Sequence, residues 1–204
     1  KPQPIDPSSM PPLPGGKRFL YAGNIGDAQD FPTLLNAIEQ LKDRRDIQWI
    51  IIGDGRAAPW LKDEVTRRGL SKVVTLVGQQ PLEKIPAYFA AADMLFLALR
   101  ADPVFERTIP GKLQSYLAAG KPVLAMLDGD GAAVLEESGA GICVPAGNSA
   151  ALMQAIQSFA ALPEEKLLEM QQNARRYYET HFSRTHVLSQ LEGWMKEMTK
   201  KDRI

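Results

Sequence analysis

Phe105-Glu106-Arg107-Thr108-Ile109-Pro110-Gly111-Lys112-Leu113-Gln114-Ser115-Tyr116-Leu117-Ala118-Ala119-Gly120-Lys121-Pro122-Val123 reads as a polar loop, a helix start, a short amphipathic helix and a glycine stop before a strand. Thr108 is placed to cap that helix, and Pro110 suits its first turn, where no intrahelical partner is needed. Gly120 suits the stop, and Pro122 prevents continuation. Lys112 in the first turn is the anomaly. A cation there opposes the helix dipole by roughly 0.3–1 kcal/mol. A phosphate held jointly by the free N–H groups and the ammonium reverses that sign. A lysine bent out into solvent is the alternative reading.

Around this stretch the chain alternates strand and helix signals. Phe19 to Ala22 is an apolar strand ended by Gly23, and Asp30 can cap a helix carrying Phe31, Leu34, Leu35, Ile38 and Leu41 at a 3.6-residue period. Ile47 to Ile52 is nearly all apolar, as a strand covered on both faces should be. Gly53-Asp54-Gly55 then turns into a helix from about residue 57 to 68. Further strands are expected at 73–77, 94–99, 123–126 and 142–144, with helices at 82–91, from Asp130 through Glu137, and at 148–160, 163–180 and 184–199. Strands each followed by a helix predict an α/β fold: a Rossmann-like, doubly wound, parallel six-stranded sheet with extra C-terminal helices. Ligands of such sheets sit beyond the carboxyl ends of the strands, at the switch in strand order. That singles out the loops 23–30, 53–57, 78–82, 99–112 and 127–132.

Bulk composition narrows the classes. The chain has 204 residues, 45% apolar and 24% charged, with 24 basic residues balancing 24 acidic ones. That supports one compact core, and the neutral balance gives no nucleic-acid footprint. The lone Cys143 excludes an internal disulfide framework and sits in an apolar run, as an inert thiol does. No apolar run approaches the ~20 residues of a membrane span. Residues 1–16 hold six prolines and two glycines and read as a linker. They lack the apolar segment of a signal peptide. The expected organisation is a linker at 1–16, a Rossmann-like domain at 17–182 and a C-terminal helix at 183–204, in a cytoplasmic piece of a larger protein.

The loops offer unequal chemistry. Gly23-Asn24-Ile25-Gly26-Asp27-Ala28-Gln29-Asp30 lets a backbone approach a ligand closely, but a plain turn accounts for it equally well. It lacks the six-residue G-x-G-x-x-G fingerprint, which disfavours a nicotinamide enzyme. Asp54 can bind a sugar hydroxyl or cap a helix. The loop Gly78-Gln79-Gln80-Pro81 carries amides able to read a base edge. Loop 99–112 brings Asp102, Glu106 and Arg107 up to the helix start at Lys112, where carboxylates suit hydroxyls and cations suit a diphosphate. No spaced acidic triad or histidine cluster marks a metal site, and His181 and His186 read as ordinary helix residues. Leu188, Leu191, Met195 and Met198 form an apolar stripe. In Met195 to Ile204, four bases against two acids are too small an excess for a membrane helix.

Taken in order, Gly-Asn-Ile-Gly-Asp-Ala-Gln-Asp, Ile-Ile-Gly-Asp-Gly, Ala-Ala-Asp-Met-Leu-Phe-Leu and Thr-Ile-Pro-Gly-Lys-Leu-Gln-Ser-Tyr-Leu-Ala-Ala-Gly-Lys-Pro-Val resemble the carboxyl-terminal half of GT-B glycosyltransferases of family 4 over about residues 15–195. The resemblance is strongest to the branch of bacterial O-antigen and capsule assembly, such as the L-N-acetylfucosamine transferases. It implies one half of a GT-B fold, binding a nucleotide-diphosphate sugar, with UDP-sugar favoured, and retaining anomeric configuration without a bound metal or covalent cofactor. It implies as partners an amino-terminal acceptor-binding domain, which carries the histidine of the family's chemistry, and an acceptor glycan or lipid-linked sugar. Peripheral association with the inner face of the membrane would follow from a lipid-linked acceptor. The fragment alone is then expected to bind donor and transfer little.

By position, the family's two-glutamate motif falls on Glu106, which would contact the donor sugar, and Gln114, which would hold the ribose. Lys112 and Arg107 would serve the diphosphate, with Lys112 and Glu106 as the catalytic pair. The glycine loop with Gly23, Asn24 and Gly26 would face the phosphates, and Gly78 and Gln79 the base. Asn24 and Gln29 stand where many members carry Arg and Lys, so more charge work falls on Lys112. A sugar-nucleotide epimerase of the same architecture and a non-catalytic regulatory module are the rival readings.

Overall fold

The computed structural model describes residues 13–201. Six strands, β1 (Lys17–Ala22), β2 (Ile47–Ile52), β3 (Val74–Gly78), β4 (Met94–Ala98), β5 (Val123–Met126) and β6 (Gly141–Val144), form one parallel sheet in the order β3-β2-β1-β4-β5-β6. The helices are α1 (Phe31–Glu39), α2 (Ala58–Arg67), α3 (Ile85–Ala91), α4 (Pro103–Glu106), α5 (Gly111–Ala119), α6 (Asp130–Ser138), α7 (Ser149–Ala160), α8 (Glu164–Tyr177) and α9 (Arg184–Lys201). This is the doubly wound Rossmann-like order, with the switch between β1 and β4.

Alternation along the strands builds two apolar layers. Phe19, Tyr21, Trp49, Ile51, Phe96, Leu124 and Met126 face α1, α2 and α7. Leu20, Ala22, Ile50, Ile52, Leu95, Leu97, Val123 and Ala125 face α3, α5, α6 and α8. In the first layer Phe19 stacks on Trp49 at 5.0 Å, and Trp49 meets Phe96 edge-on at 5.3 Å. Lys121 donates to the carbonyls of Ala90 and Ala92, both at 2.8 Å, at the carboxyl end of α3.

At the switch, β1 and β4 keep register only over Phe19–Met94 and Leu20–Leu95. Beyond that, the fully buried Tyr116 of α5 stands between them. Its hydroxyl accepts from the Ala22 N–H at 3.4 Å and donates to the Phe96 carbonyl at 3.2 Å. The strands part here because the sheet must open to receive the loops that follow.

Several local expectations change. Asp30 caps α1, accepting from the Thr33 N–H, but adopts φ 45° after a tight turn over Asp27–Gln29. Short polar side chains tolerate that left-handed conformation best. Thr108 does not cap α5: its hydroxyl donates to the Val104 carbonyl at 2.7 Å, and Pro110 holds the N-cap position. Loop 99–112 contains the short α4, capped by Asp102, which accepts from the Val104 N–H at 2.9 Å. The segment expected as helix 82–91 begins as a tight turn over Leu82–Lys84 before α3, and α8 ends in a π-helical turn over Tyr178–Phe182. Of the expected linker, residues 1–12 lie outside the described residues, as do Asp202 and Arg203 of the charge pattern at the chain end. Leu13 packs on the second apolar layer, and no helix among the described residues is long and apolar enough to cross a membrane.

The first two strands end on backbones that touch. A Cβ on Gly53 (φ 139°) would drive into the carbonyl oxygen of Gly23, and neither main chain has room to retreat. Gly53→Ala is therefore expected to lower unfolding free energy by about 3 kcal/mol, read by chemical denaturation. Gly15→Ala, whose Cβ meets nothing within 4 Å, should leave it unchanged.

Candidate functional site

Beyond the carboxyl ends of β1, β2 and β3, on the α3–α5 side, lies a cavity of about 910 Å³. Ligand pockets typically span roughly 300–1,000 Å³. Its floor is Ala22, Gly23 and Asn24 with Ile52 to Gly55; one wall is Gln79 to Leu82 with Ile85, Pro86 and Phe89; the other is Lys112, Ser115 and Tyr116 of α5. The wall beside Gln79 and Gln80 is mostly apolar, with the Gln80 amide donating to the Val77 carbonyl at 3.5 Å and accepting from the Tyr88 hydroxyl at 3.4 Å, and Lys112 stands on the other wall.

The floor is stitched backbone to backbone. Gly23 N–H donates to Ile52 carbonyl at 2.9 Å, Ile25 N–H to Asp54 carbonyl at 2.8 Å, and Ala57 N–H to Ile25 carbonyl at 3.0 Å. The Tyr21 hydroxyl donates to the Asn24 carbonyl. Within the loop, Gln29 Oε1 accepts from the Gly26 N–H at 3.1 Å and from Asn24 Nδ2 at 3.4 Å. Asn24 and Gln29 thus brace the loop internally.

Lys112 reaches across Gly23, where a Cβ would collide with its Cε, and sets Nζ 4.9 Å from the centre of the Tyr21 ring. The ring face attracts the ammonium. Burial pushes the Lys112 pKa below its ordinary 10.5, because removing water penalises the charged form. The N–H groups of Gly111 and Lys112 open α5 with no preceding turn to bond, and Pro110 contributes no side-chain cap. The ammonium and the α5 amides without intrahelical partners thus come from one helix start beside the cavity.

The sequence-derived candidates divide. Lys112, Gly23, Asn24 and Gln79 line this cavity. Gly78 ends β3 beside it, its carbonyl accepting from Gly53 N–H at 3.0 Å. Gly26 lines a smaller neighbouring cavity. Glu106, Arg107 and Gln114 line none of these cavities; the Glu106 backbone instead packs against Gly129. Gln114 follows Lys112 by two residues, about 200° around a helix, whereas Ser115 at three residues shares its face. Helical phase was the signal that would have found Ser115. Tyr21 had none, because its role depends on where α5 lies.

Other chemistry is quiet. Burial lifts the Cys143 thiol to about 11, and it donates to the Leu127 carbonyl at 3.4 Å. His181 stacks on Tyr177 at 4.2 Å, away from the cavity. Among the described residues, no group of three or more His, Cys, Asp or Glu could hold a metal ion.

Comparison with known proteins agrees with this geometry. A family model described as "Glycosyl transferases group 1" matches residues 16–161. A Pseudomonas aeruginosa protein with the glycosyltransferase name WbjE is 27% identical over 76% of this chain and 38% of its own length. An Escherichia coli (strain K12) protein named for colanic acid biosynthesis, the glycosyl transferase WcaI, is 27% identical over 87% of this chain and 43% of its own. The chain thus spans less than half the length of these relatives. Among solved structures, Anabaena Alr3699/HepE in complex with UDP superposes with a TM-score of 0.78 at 19% identity, covering 90% of this chain and 49% of that one.

Tyr21→Phe keeps the ring under Lys112 and removes the hydroxyl bond to the loop. It should cost about 1 kcal/mol of stability by chemical denaturation. Selective isotope labelling of lysine should show Lys112 titrating below 10.5 in both proteins.

Proposed function

The chain belongs to the group 1 glycosyl transferases, and from that premise we propose that it is the donor-binding half of a retaining glycosyltransferase of bacterial surface polysaccharide synthesis. The observation that carries this reading is Lys112 with the open α5 amides, facing a cavity of nucleotide size at the switch point. The base of a UDP-sugar enters the apolar end beside Gln79 and Gln80, and the diphosphate lies over Gly23 against Lys112. Ser115 takes the ribose in place of Gln114. Glu106 and Arg107, outside the lining, are given no role in donor binding.

In the reaction, the bond between the sugar's anomeric carbon and the diphosphate oxygen breaks, and that oxygen gathers negative charge. Fixed N–H dipoles and an ammonium already aimed there stabilise the leaving group without reorganising. Lys112 and the amides supply the positive charge in place of a bound metal. The hexosyl group passes to a hydroxyl of an acceptor glycan or lipid-linked sugar held by an amino-terminal domain. Leu188, Leu191, Trp194, Met195 and Met198, exposed along α9, are the surface that domain would cover. Residues 1–204 alone then bind donor and transfer little, acting in the cytoplasm at the membrane's inner face.

Calorimetry with UDP and GDP tests this. UDP should bind, unaffected by a chelator, and Lys112→Ala should weaken it by about 1.5–3 kcal/mol, the range for a hydrogen bond to a charged group. The bound diphosphate favours the charged lysine, so affinity should fall as pH rises through the depressed Lys112 pKa, before 10.5 is reached. Lys112→Arg should remove that fall, since guanidinium stays charged. Absence of binding by either nucleotide would overturn the donor-half reading.

A further inference from the structure

A second concavity runs from the donor cavity over loop 23–30 to the opposite helical layer. A cavity of about 360 Å³ shares Asn24 with the donor cavity, and one of about 470 Å³ continues from it. The two share Gly26, Asp27, Arg56 and Arg100. The outer one ends on Pro32 and Trp60. Together they form a trough along the same rim of the sheet.

The trough walls carry a distinct chemistry. Trp60 of α2 lies 38% exposed as a wall, whereas Trp49 is closed into the core at 1%. Two arginines, Arg56 and Arg100, face two acids, Asp27 and Asp30, so the outer cavity is neutral. Arg56 pairs with Asp27 on the exposed rim. Arg100 is fixed by its N–H donating to the Ala28 carbonyl at 2.9 Å and leans on Asp102 at 3.5 Å. Exposed ion pairs contribute little to the fold, so their donors and acceptors can be re-used by a ligand at small cost. Guanidinium forks donate to hydroxyl pairs and carboxylates accept from them. An indole face suits the C–H face of a pyranose ring. A free anion would meet Asp27 and Asp30 as well as the arginines, whereas an uncharged polyol uses both signs.

We propose that this trough is a saccharide subsite, where a neutral ring of the acceptor stacks on Trp60 and bonds to Asp27, Arg56 and Arg100. The assignment to the acceptor rests on the glycosyltransferase reading; the saccharide chemistry does not. An acceptor chain seated there runs along loop 23–30 towards Asn24 and the donor cavity, so the donor half itself would hold part of the acceptor.

The test uses the 204-residue chain labelled with 5-fluorotryptophan and titrated with methyl glycosides of glucose, galactose, mannose and N-acetylglucosamine. At least one glycoside should shift the Trp60 resonance along a saturable curve, leaving Trp49 and Trp194 in place, in the millimolar Kd range of one stacked ring, about 1–50 mM. By saturation-transfer NMR, Trp60→Ala and Arg100→Gln should each weaken that glycoside about tenfold, while Trp60→Phe retains it. UDP affinity, measured in parallel, should stay within about twofold in all three variants, since none lines the donor cavity. A Trp60 resonance unmoved by every glycoside, with UDP present or absent, would overturn the subsite. So would glycoside binding untouched by both damaging variants, or saturation by inorganic phosphate alone. Glycoside binding without UDP binding would sink the donor-half reading and leave the subsite standing.

Discussion

Everything at the working edge of this molecule depends on two main chains lying closer than side chains allow. Gly23 and Gly53 end adjacent strands; Gly53, without a Cβ, lies against the Gly23 carbonyl, and loop 23–30 settles onto the end of β2 and loop 53–57 through three backbone hydrogen bonds. That stitched platform floors the donor cavity on one side of the sheet and the trough on the other. It also clears the path by which Lys112 crosses to Tyr21. A side chain at Gly53 would push the loops apart, and one at Gly23 would meet the Lys112 side chain and displace the cation from its ring.

Neutral overall charge conceals two local arrangements. In the donor cavity the single lysine meets the Asp54 segment only across the floor, and burial already makes its charge costly. An anion beside it would favour the charged form. In the trough, acids and arginines answer one another at the surface. The first arrangement selects for charge and the second for hydroxyl geometry. The two sides of one platform thus offer two different chemistries.

The fold was largely legible because its signals are local. Ile47 to Ile52 announces a strand buried on both faces, and Gly120 followed by Pro122 fixes where α5 stops. Six strands alternating with helices leave few topologies, and the sheet is parallel and doubly wound as expected. Cavity-lining residues were legible where one segment carries them, as with Lys112 at its helix start. Counting residues along a motif pointed to Gln114, but the face of a helix is set by angle, and Ser115 is the neighbour that Lys112 has in space. Thr108 looked like a cap from its place in the chain and was taken by the turn before it. Tyr21, Arg100 and the Arg56–Trp60 stretch come from three separate segments, and no one-dimensional pattern joins them.

Tyr116 ties the helix carrying Lys112 to the parting of the sheet, its hydroxyl shared between Ala22 and Phe96. A piston-like shift of α5 would have to leave a buried phenol and two main-chain groups without partners at once. The cation is therefore not a spring-loaded element that follows its ligand. It is an anvil, fixed to the same sheet that carries the floor. Any variation in what the cavity accepts is left to the opposite wall, from Gln79 to Phe89. Sequence change on that wall would alter the shape of the cavity while the Lys112 end stays mechanically unchanged.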